Sequence, residues 1–283
     1  MSQFLDFIPT IPIAKSVEWF MDLLTDNLAP FFDAIQKGGK LAMESITDLL
    51  ILIPPVLFIL IVGLIAFFTS KRKFGLAIFS ILGLFLIYNQ GLWEELMNTI
   101  TLVIFASVIA IIIGVPLGIL MSKNSVAEAI IKPVLDFMQT MPGFVYLIPA
   151  VAFFGIGVVP GVFASVIFAL PPTVRFTNLG IKQVPKELVE ASESYGSTGW
   201  QKLYKVELPL AKSTIMAGIN QTVLLSLSMV VIASMIGAPG LGRDVLSALQ
   251  RAQVGNGFVA GISLVILAII FDRLTQSINK KSH

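Results

Sequence analysis

The chain has 283 residues, 56% of them hydrophobic and 13% charged, and its mean hydropathy is +0.90; a soluble domain carries about a quarter charged residues, so most of this chain needs a bilayer as its solvent. A net charge of +2 is too small to point to nucleic acid. With no Cys and one His, at the last position, disulfides, thiolate chemistry and Cys- or His-based metal and acid/base sites are excluded.

The start of the chain has no basic n-region and no Ala-x-Ala cleavage site, so the first true span is expected to serve as its own insertion signal. Residues 1–48 read as one unit, an interfacial helical segment, and 49–283 as the membrane domain. Between residues 17 and 35, Val17, Phe20, Met21, Leu24, Leu28, Phe31, Phe32 and Ile35 recur at three and four positions, with Glu18, Asp22, Asp26 and Asp33 between them. That periodicity predicts an amphipathic helix, with a break near Pro30. Its acids disfavour a crossing, at roughly 3 kcal/mol for each charge at mid-depth, so it is expected at the interface or against the protein.

Seven apolar runs follow, at about residues 50–69, 74–89, 96–122, 133–155, 162–181, 215–236 and 258–274. In the third, Gly114 and Gly118 form a Gly-x-x-x-Gly pair for close helix packing, and Pro116 between them suggests a kink. The fourth holds Gln139, Thr140, Met141, Pro142, Gly143, Phe144 and Tyr146. Polar residues followed by Pro-Gly in an apolar run imply a broken helix, tolerated only where protein or a water-filled cavity satisfies the freed backbone. Gln139, Thr140, Met141, Phe144 and Tyr146 are therefore candidate pore lining, with Asn220 and Gln221 of the sixth run. Pro171 and Pro172 predict a bend or break in the fifth run. Arg175 either snorkels to the interface, the expected case, or lines a polar cavity.

Placing Lys71, Arg72 and Lys73 inside puts 14 of the 19 Lys and Arg in the cytoplasm and leaves Lys15, Lys37, Lys40, Arg243 and Arg251 outside. The positive-inside bias selects this orientation, with the N-terminus outside and the C-terminus inside.

The one long polar passage between spans, residues 184–209, then lies in the cytoplasm. Pro185 suits the first position of a helix whose early turns carry Glu187, Glu190 and Glu193, where negative charge favours the dipole. Gly196 is placed to end that helix in a left-handed conformation. Thr198 with Gln201 makes a capping box for a second short helix, whose Trp200, Leu203 and Tyr204 share a face. Such a face fits either the membrane surface or a docked protein.

Glu190-Ala191-Ser192, three residues, Gly196, nine residues, then Val206-Glu207-Leu208-Pro209 resembles the EAA loop of ABC importer permeases, Glu-Ala-Ala, three, Gly, nine, Ile-x-Leu-Pro. Ser192 replaces the second Ala and Val206 the Ile. Residues 135–161, 168–185, 217–242 and 271–276 also resemble the permeases of osmoprotectant importers for glycine betaine, proline and carnitine, nearly continuously from Trp93 to Gln276. That resemblance implies an all-α polytopic type I importer fold and a coupling helix that enters a groove of a cytoplasmic ATPase. It assigns Glu190, Ala191, Ser192, Tyr195, Gly196, Trp200, Leu203, Tyr204, Leu208 and Pro209 to that surface, with Ala191, Ser192 and Tyr195 expected in the groove. It implies a second copy of the chain, two ATPase subunits, an external substrate-binding protein and a bacterial plasma membrane location.

The sequence has no Gly-x-x-x-x-Gly-Lys-Ser/Thr, so ATP-Mg is expected on the partner ATPase, with no cofactor or metal on this chain and no catalytic residues. The stretch after Leu274 is too short for a fused binding domain. The aromatic residues around the fourth run, Phe137, Phe144, Tyr146, Phe153 and Phe154, suit a quaternary ammonium by their chemistry but equally suit a core or a lipid face. The competing readings are an importer permease for another small solute, such as an amino acid, and a channel or membrane scaffold outside the ABC class.

Overall fold

A computed structural model describes residues 12–69 and 74–280. The segment before Pro12, the cluster Lys71–Lys73, Lys281 and His283 lie outside these residues. The described chain is helical, with no strand assigned among these residues. Backbone N–H and C=O groups have no water partner inside lipid, and helices satisfy them within one segment.

In chain order the helices are α1 (Ile13–Leu52), α2 (Pro55–Thr69), α3 (Phe74–Asn89), α4 (Trp93–Lys123), α5 (Ser125–Thr140), α6 (Leu147–Phe154), α7 (Val158–Lys182), α8 (Lys186–Ser194), α9 (Gly199–Lys202), α10 (Leu208–Ser234), α11 (Leu241–Gln250) and α12 (Val254–Lys280). Among the described residues, four helical stretches are long and apolar enough to cross a bilayer: α4, α7, the stretch Gly199–Ser234 containing α10, and α12. The pair α1–α2, bent by 95°, and the pair that α5 makes with Gly143–Phe154, bent by 110°, qualify as broken spans. Helix α3 is apolar but has only 16 residues. By length and composition the seven apolar runs thus divide into four whole spans, two bent pairs that are each a broken span or a re-entrant loop, and one short helix.

The centre is built from α4, α7 and α10. The Gly-x-x-x-Gly pair of α4 lies flat on α7: a Cβ on Gly114 would stand 2.8 Å from Thr173 Cγ2, and one on Gly118 would stand 2.6 Å from the Val174 carbonyl oxygen. Close approach is therefore what these glycines provide. Thr222 of α10 donates to the Ala169 carbonyl of α7 at 2.9 Å and lies 2.7 Å from Thr173 Oγ1. This buried polar seam runs beside Pro171 and Pro172, yet α7 continues through both as one helix of 25 residues. The chain does not break there: the two prolines are buried, and α4 and α10 pack along α7 on either side.

Helix α1 also runs unbroken through Pro30. The Asp26 carbonyl that loses its donor there belongs to an exposed stretch, where solvent replaces the missing bond. The second half of α1 is held by the membrane domain. Met43 and Thr47 are buried, Thr47 Oγ1 donates to Thr101 Oγ1 of α4 at 2.9 Å, and the Phe32 ring stacks on Phe153 at 4.7 Å. Its first half leaves Val17, Trp19 and Phe20 exposed. Leu57, Leu64, Leu82 and Phe85 of α2 and α3 likewise face outward, as lipid-covered side chains do.

Candidate functional site

The polar passage is a folded unit rather than a loose loop. Pro185 caps α8, whose far end is closed by Gly196 in the left-handed region at φ +79°. The Gly196 N–H bonds the Glu193 carbonyl at 2.9 Å and the Ser197 N–H bonds the Ser192 carbonyl at 3.1 Å, so these two carbonyls in the last turn of α8 are satisfied. The capping box forms as its sequence predicts: Thr198 N–H to Gln201 Oε1 at 2.9 Å, and Gln201 N–H to Thr198 Oγ1 at 3.4 Å. A π-helical turn, Leu203–Glu207, then leads straight into α10. The backbone is thus helical from Gly199 into α10 with no intervening loop.

Two ion pairs brace it. Lys123, the last residue of α4, donates to both carboxylate oxygens of Glu207, 2.6 Å to Oε1. Glu207 is only 4% exposed, so removing its partner strands a buried charge. Because Lys123 keeps 38% of its side chain exposed, Lys123→Ala is expected to cost about 1–3 kcal/mol, at the low end for a broken buried pair. Thermal unfolding of the purified protein checks this, and Lys123→Met with Glu207→Leu is expected to recover most of the loss.

Lys202 pairs with Glu193 and ties α9 back to α8. The hydrogen bond from Lys202 holds the Glu193 carboxyl below the usual carboxylate range. A lowered folded pKa means that this contribution is present at neutral pH and lost as pH falls through the folded value. Hydrogen-exchange protection in residues 186–202, measured relative to the intrinsic rate at each pH, is expected to stay constant from pH 8 down to the ordinary Glu range, about 4.3, and to fall only below it.

The exposed tip carries Glu190, Ala191 and Tyr195, the last 92% exposed, while Ser192 is half-buried and donates to the Val189 carbonyl at 2.7 Å. Trp200 and Tyr204 stack at 5.8 Å on the outer side. Leu203, between them in sequence, turns inward against Ile181, Ala211 and Ile215, with Leu208 packed beside it. All three nonetheless line one cavity of about 630 Å³, closed by Pro116, Ile119 and Leu120 of α4. Pro209, near the start of α10, is exposed.

A second cavity, of about 690 Å³, opens between α5, α7 and α10. Gln139 and Gln221 stand in its wall beside Arg175, Phe168, Pro172 and Phe176. Arg175 is paired with Asp136 of α5. It lines a polar cavity instead of only snorkelling, because an acid one helix away holds its guanidinium. The break in the fourth run lies at the cavity's rim: α5 ends at Thr140, Pro142 precedes the turn Gly143–Tyr146, and buried Tyr146 donates its hydroxyl to the Met138 carbonyl. Thr140 and Phe144 are exposed and Met141 is half-buried beside Tyr146. Asn220 turns away from the cavity and donates to Asp272 of α12 at 2.8 Å. Phe153 and Phe154 pack against Phe32 and Phe163, as core and not as a cage.

Residues 110–282 match the family described as the binding-protein-dependent transport system inner membrane component. The chain belongs to that family. Among this permease's relatives is the glycine betaine/carnitine transport permease protein GbuB of Listeria monocytogenes, 59% identical over 97% of this chain and 98% of that one. The glycine betaine transport system permease protein OpuAB of Bacillus subtilis is 50% identical over 98% of each chain. The glycine betaine/proline betaine permease ProW of Escherichia coli is 46% identical over 96% of this chain and 76% of its own. A solved structure of the MetNI methionine ABC transporter, in an inward-facing conformation, superposes with a TM-score of 0.60 at 20% identity, over 66% of this chain and 93% of that one. The family member is thus an all-α, multi-pass membrane subunit with the type I importer permease fold, and its role is in transport.

Proposed function

We propose that two copies of this permease form the membrane pathway of an ATP-driven importer for glycine betaine or a related quaternary-ammonium osmoprotectant. An external binding protein delivers the solute, and two cytoplasmic ATPase subunits, which hold ATP-Mg, drive the cycle. The N-terminus lies outside and the C-terminus inside.

The observation that carries this reading is the rigid union of α8, Gly196 and α9 with α10 through the turn Leu203–Glu207, braced to α4 by Lys123 and Glu207. A push on the exposed surface around Ala191, Ser192 and Tyr195 is transmitted to α4 and α10, two of the three central helices. ATP-driven closure of the ATPase pair then supplies the push, and the membrane helices rock between inward- and outward-facing states. The substrate class rests on the printed names of the relatives, at up to 59% identity.

Uptake of labelled glycine betaine at high osmolarity, by cells with and without this chain, tests the reading. Loss of uptake on deletion and recovery on re-expression is the expected result. Unchanged uptake in a strain with no other betaine carrier moves the assignment to another small solute.

A further inference from the structure

The cavity between α5, α7 and α10 is more than a gap between helices. Phe168, Pro172 and Phe176 are spaced by four and form one stripe on α7; Ala217, Gln221 and Leu225 do the same on α10. The stripes are held close by Gly218, where a Cβ would stand 2.6 Å from Phe176 Cβ and 3.1 Å from the Pro172 carbonyl oxygen. Into the wall of this space, beside Gln139 and Gln221, the chain places the positive charge of Arg175, with its partner Asp136 next to it.

Two apolar side chains would fill the same volume with no charge to desolvate. The side chains of Arg175 and Asp136 remain 38% and 54% exposed, so neither charge is sealed in the core, and Arg175 stands in the cavity wall. Asp136 engages Nη2 of Arg175, one nitrogen of a group that carries five N–H donors in a planar fork. The lining therefore offers a carboxylate-binding edge and two aromatic side chains within one space of about 690 Å³, and the carboxylate paired with that edge stands beside it.

We propose that this cavity is a transit site for compact zwitterions. The solute's carboxylate takes the free N–H edge of Arg175, while its cationic end lies against Phe168 and Phe176 and is balanced by Asp136. Gln139 and Gln221 complete the polar wall. Zero net charge with both signs present matches a solute of the same description. A bare cation finds no partner for Arg175, and a neutral solute answers neither charge. This assignment deepens the reading of the chain as an osmoprotectant permease and rests on it.

The test uses the whole transporter, permease with its ATPase and binding protein, in proteoliposomes. Radiolabelled glycine betaine uptake is measured beside the ATPase stimulation caused by loaded binding protein. Arg175→Gln is expected to lower uptake about tenfold or more, the worth of one lost charge-assisted contact, with ATPase stimulation kept within about twofold. Asp136→Asn, on the exposed side of α5, is expected to lower uptake in the same uncoupled way and serves if Arg175→Gln does not assemble. The exchanged pair Arg175→Asp with Asp136→Arg restores both charges and is expected to recover part of the uptake.

Wild-type uptake by Arg175→Gln and Asp136→Asn overturns the proposal. So does a parallel loss of uptake and ATPase stimulation in every variant, since that assigns the pair to the fold or to coupling. If the wild-type transporter carries a different zwitterion with the same Arg175 dependence, the transit site stands and the betaine assignment falls.

Discussion

Gly196→Arg abolishes ATP-driven uptake while the chain still reaches the membrane: this is the expected result with the largest functional effect. Gly196 holds φ +79°, where an L side chain is strained by about 1 kcal/mol. Nothing lies within 4 Å of the site a Cβ would occupy, so the fold itself has room for a side chain. Gly196→Ala isolates the backbone strain and is expected to lower uptake only modestly. Arginine adds bulk and charge to the exposed surface between Tyr195 and Thr198, where the ATPase is proposed to dock. Co-purification of the ATPase is expected to fall with uptake, and Glu190→Arg is expected to reproduce the effect from the helical side of the same surface. Full co-purification with either variant would remove residues 190–196 from the docking surface.

The largest stability effect is expected at Gly118. A Cβ there would stand 2.5 Å from Thr177 Cβ and 2.6 Å from the Val174 carbonyl oxygen, so the obstacle includes backbone that cannot rotate aside. Helices α4 and α7 must separate, and overpacking of this kind costs about 1–3 kcal/mol even for small additions. Gly118→Leu is therefore expected to lower the unfolding temperature of the purified protein by several degrees, on the order of 4 °C or more per 2 kcal/mol. Arg175 follows Val174 directly, so the shift also reaches the second cavity and depresses uptake. Gly75→Leu on α3, where nothing lies within 4 Å, is the control and is expected to melt like the wild type.

Much of this architecture is legible in the sequence because it is local. Thr198 and Gln201 three residues apart form their capping box, Gly196 takes its left-handed φ, and Gly114 and Gly118 pack where their spacing allows. What is not legible depends on neighbours. Pro30, Pro171 and Pro172 read as helix breakers, but exposure at the first and packing at the other two keep α1 and α7 whole. Periodicity places Trp200, Leu203 and Tyr204 together, yet the π turn and the apolar cluster of Ile181 and Ala211 draw Leu203 inward. Asn220 and Gln221 are adjacent and equally polar; only the position of Asp272 decides that one faces α12 and the other the cavity. The pairing of Arg175 with Asp136 and of Lys123 with Glu207 spans 39 and 84 residues. For Arg175 the sequence signal is a charge standing among apolar residues; Lys123 and Glu207 lie in polar stretches without even that signal, and in neither case does the sequence name a partner.

The central claim is that this chain, as a pair, carries a solute uphill when a partner ATPase acts on the loop around Gly196. Proteoliposomes with the purified permease and ATPase, loaded binding protein outside and ATP-Mg inside, measure it most directly. Labelled glycine betaine is expected to accumulate inside above its outside concentration, and omission of ATP, of the ATPase or of the binding protein is expected to stop accumulation. Equilibrating flux through the permease alone, with no dependence on ATP or the ATPase, would contradict it and place the chain among channels.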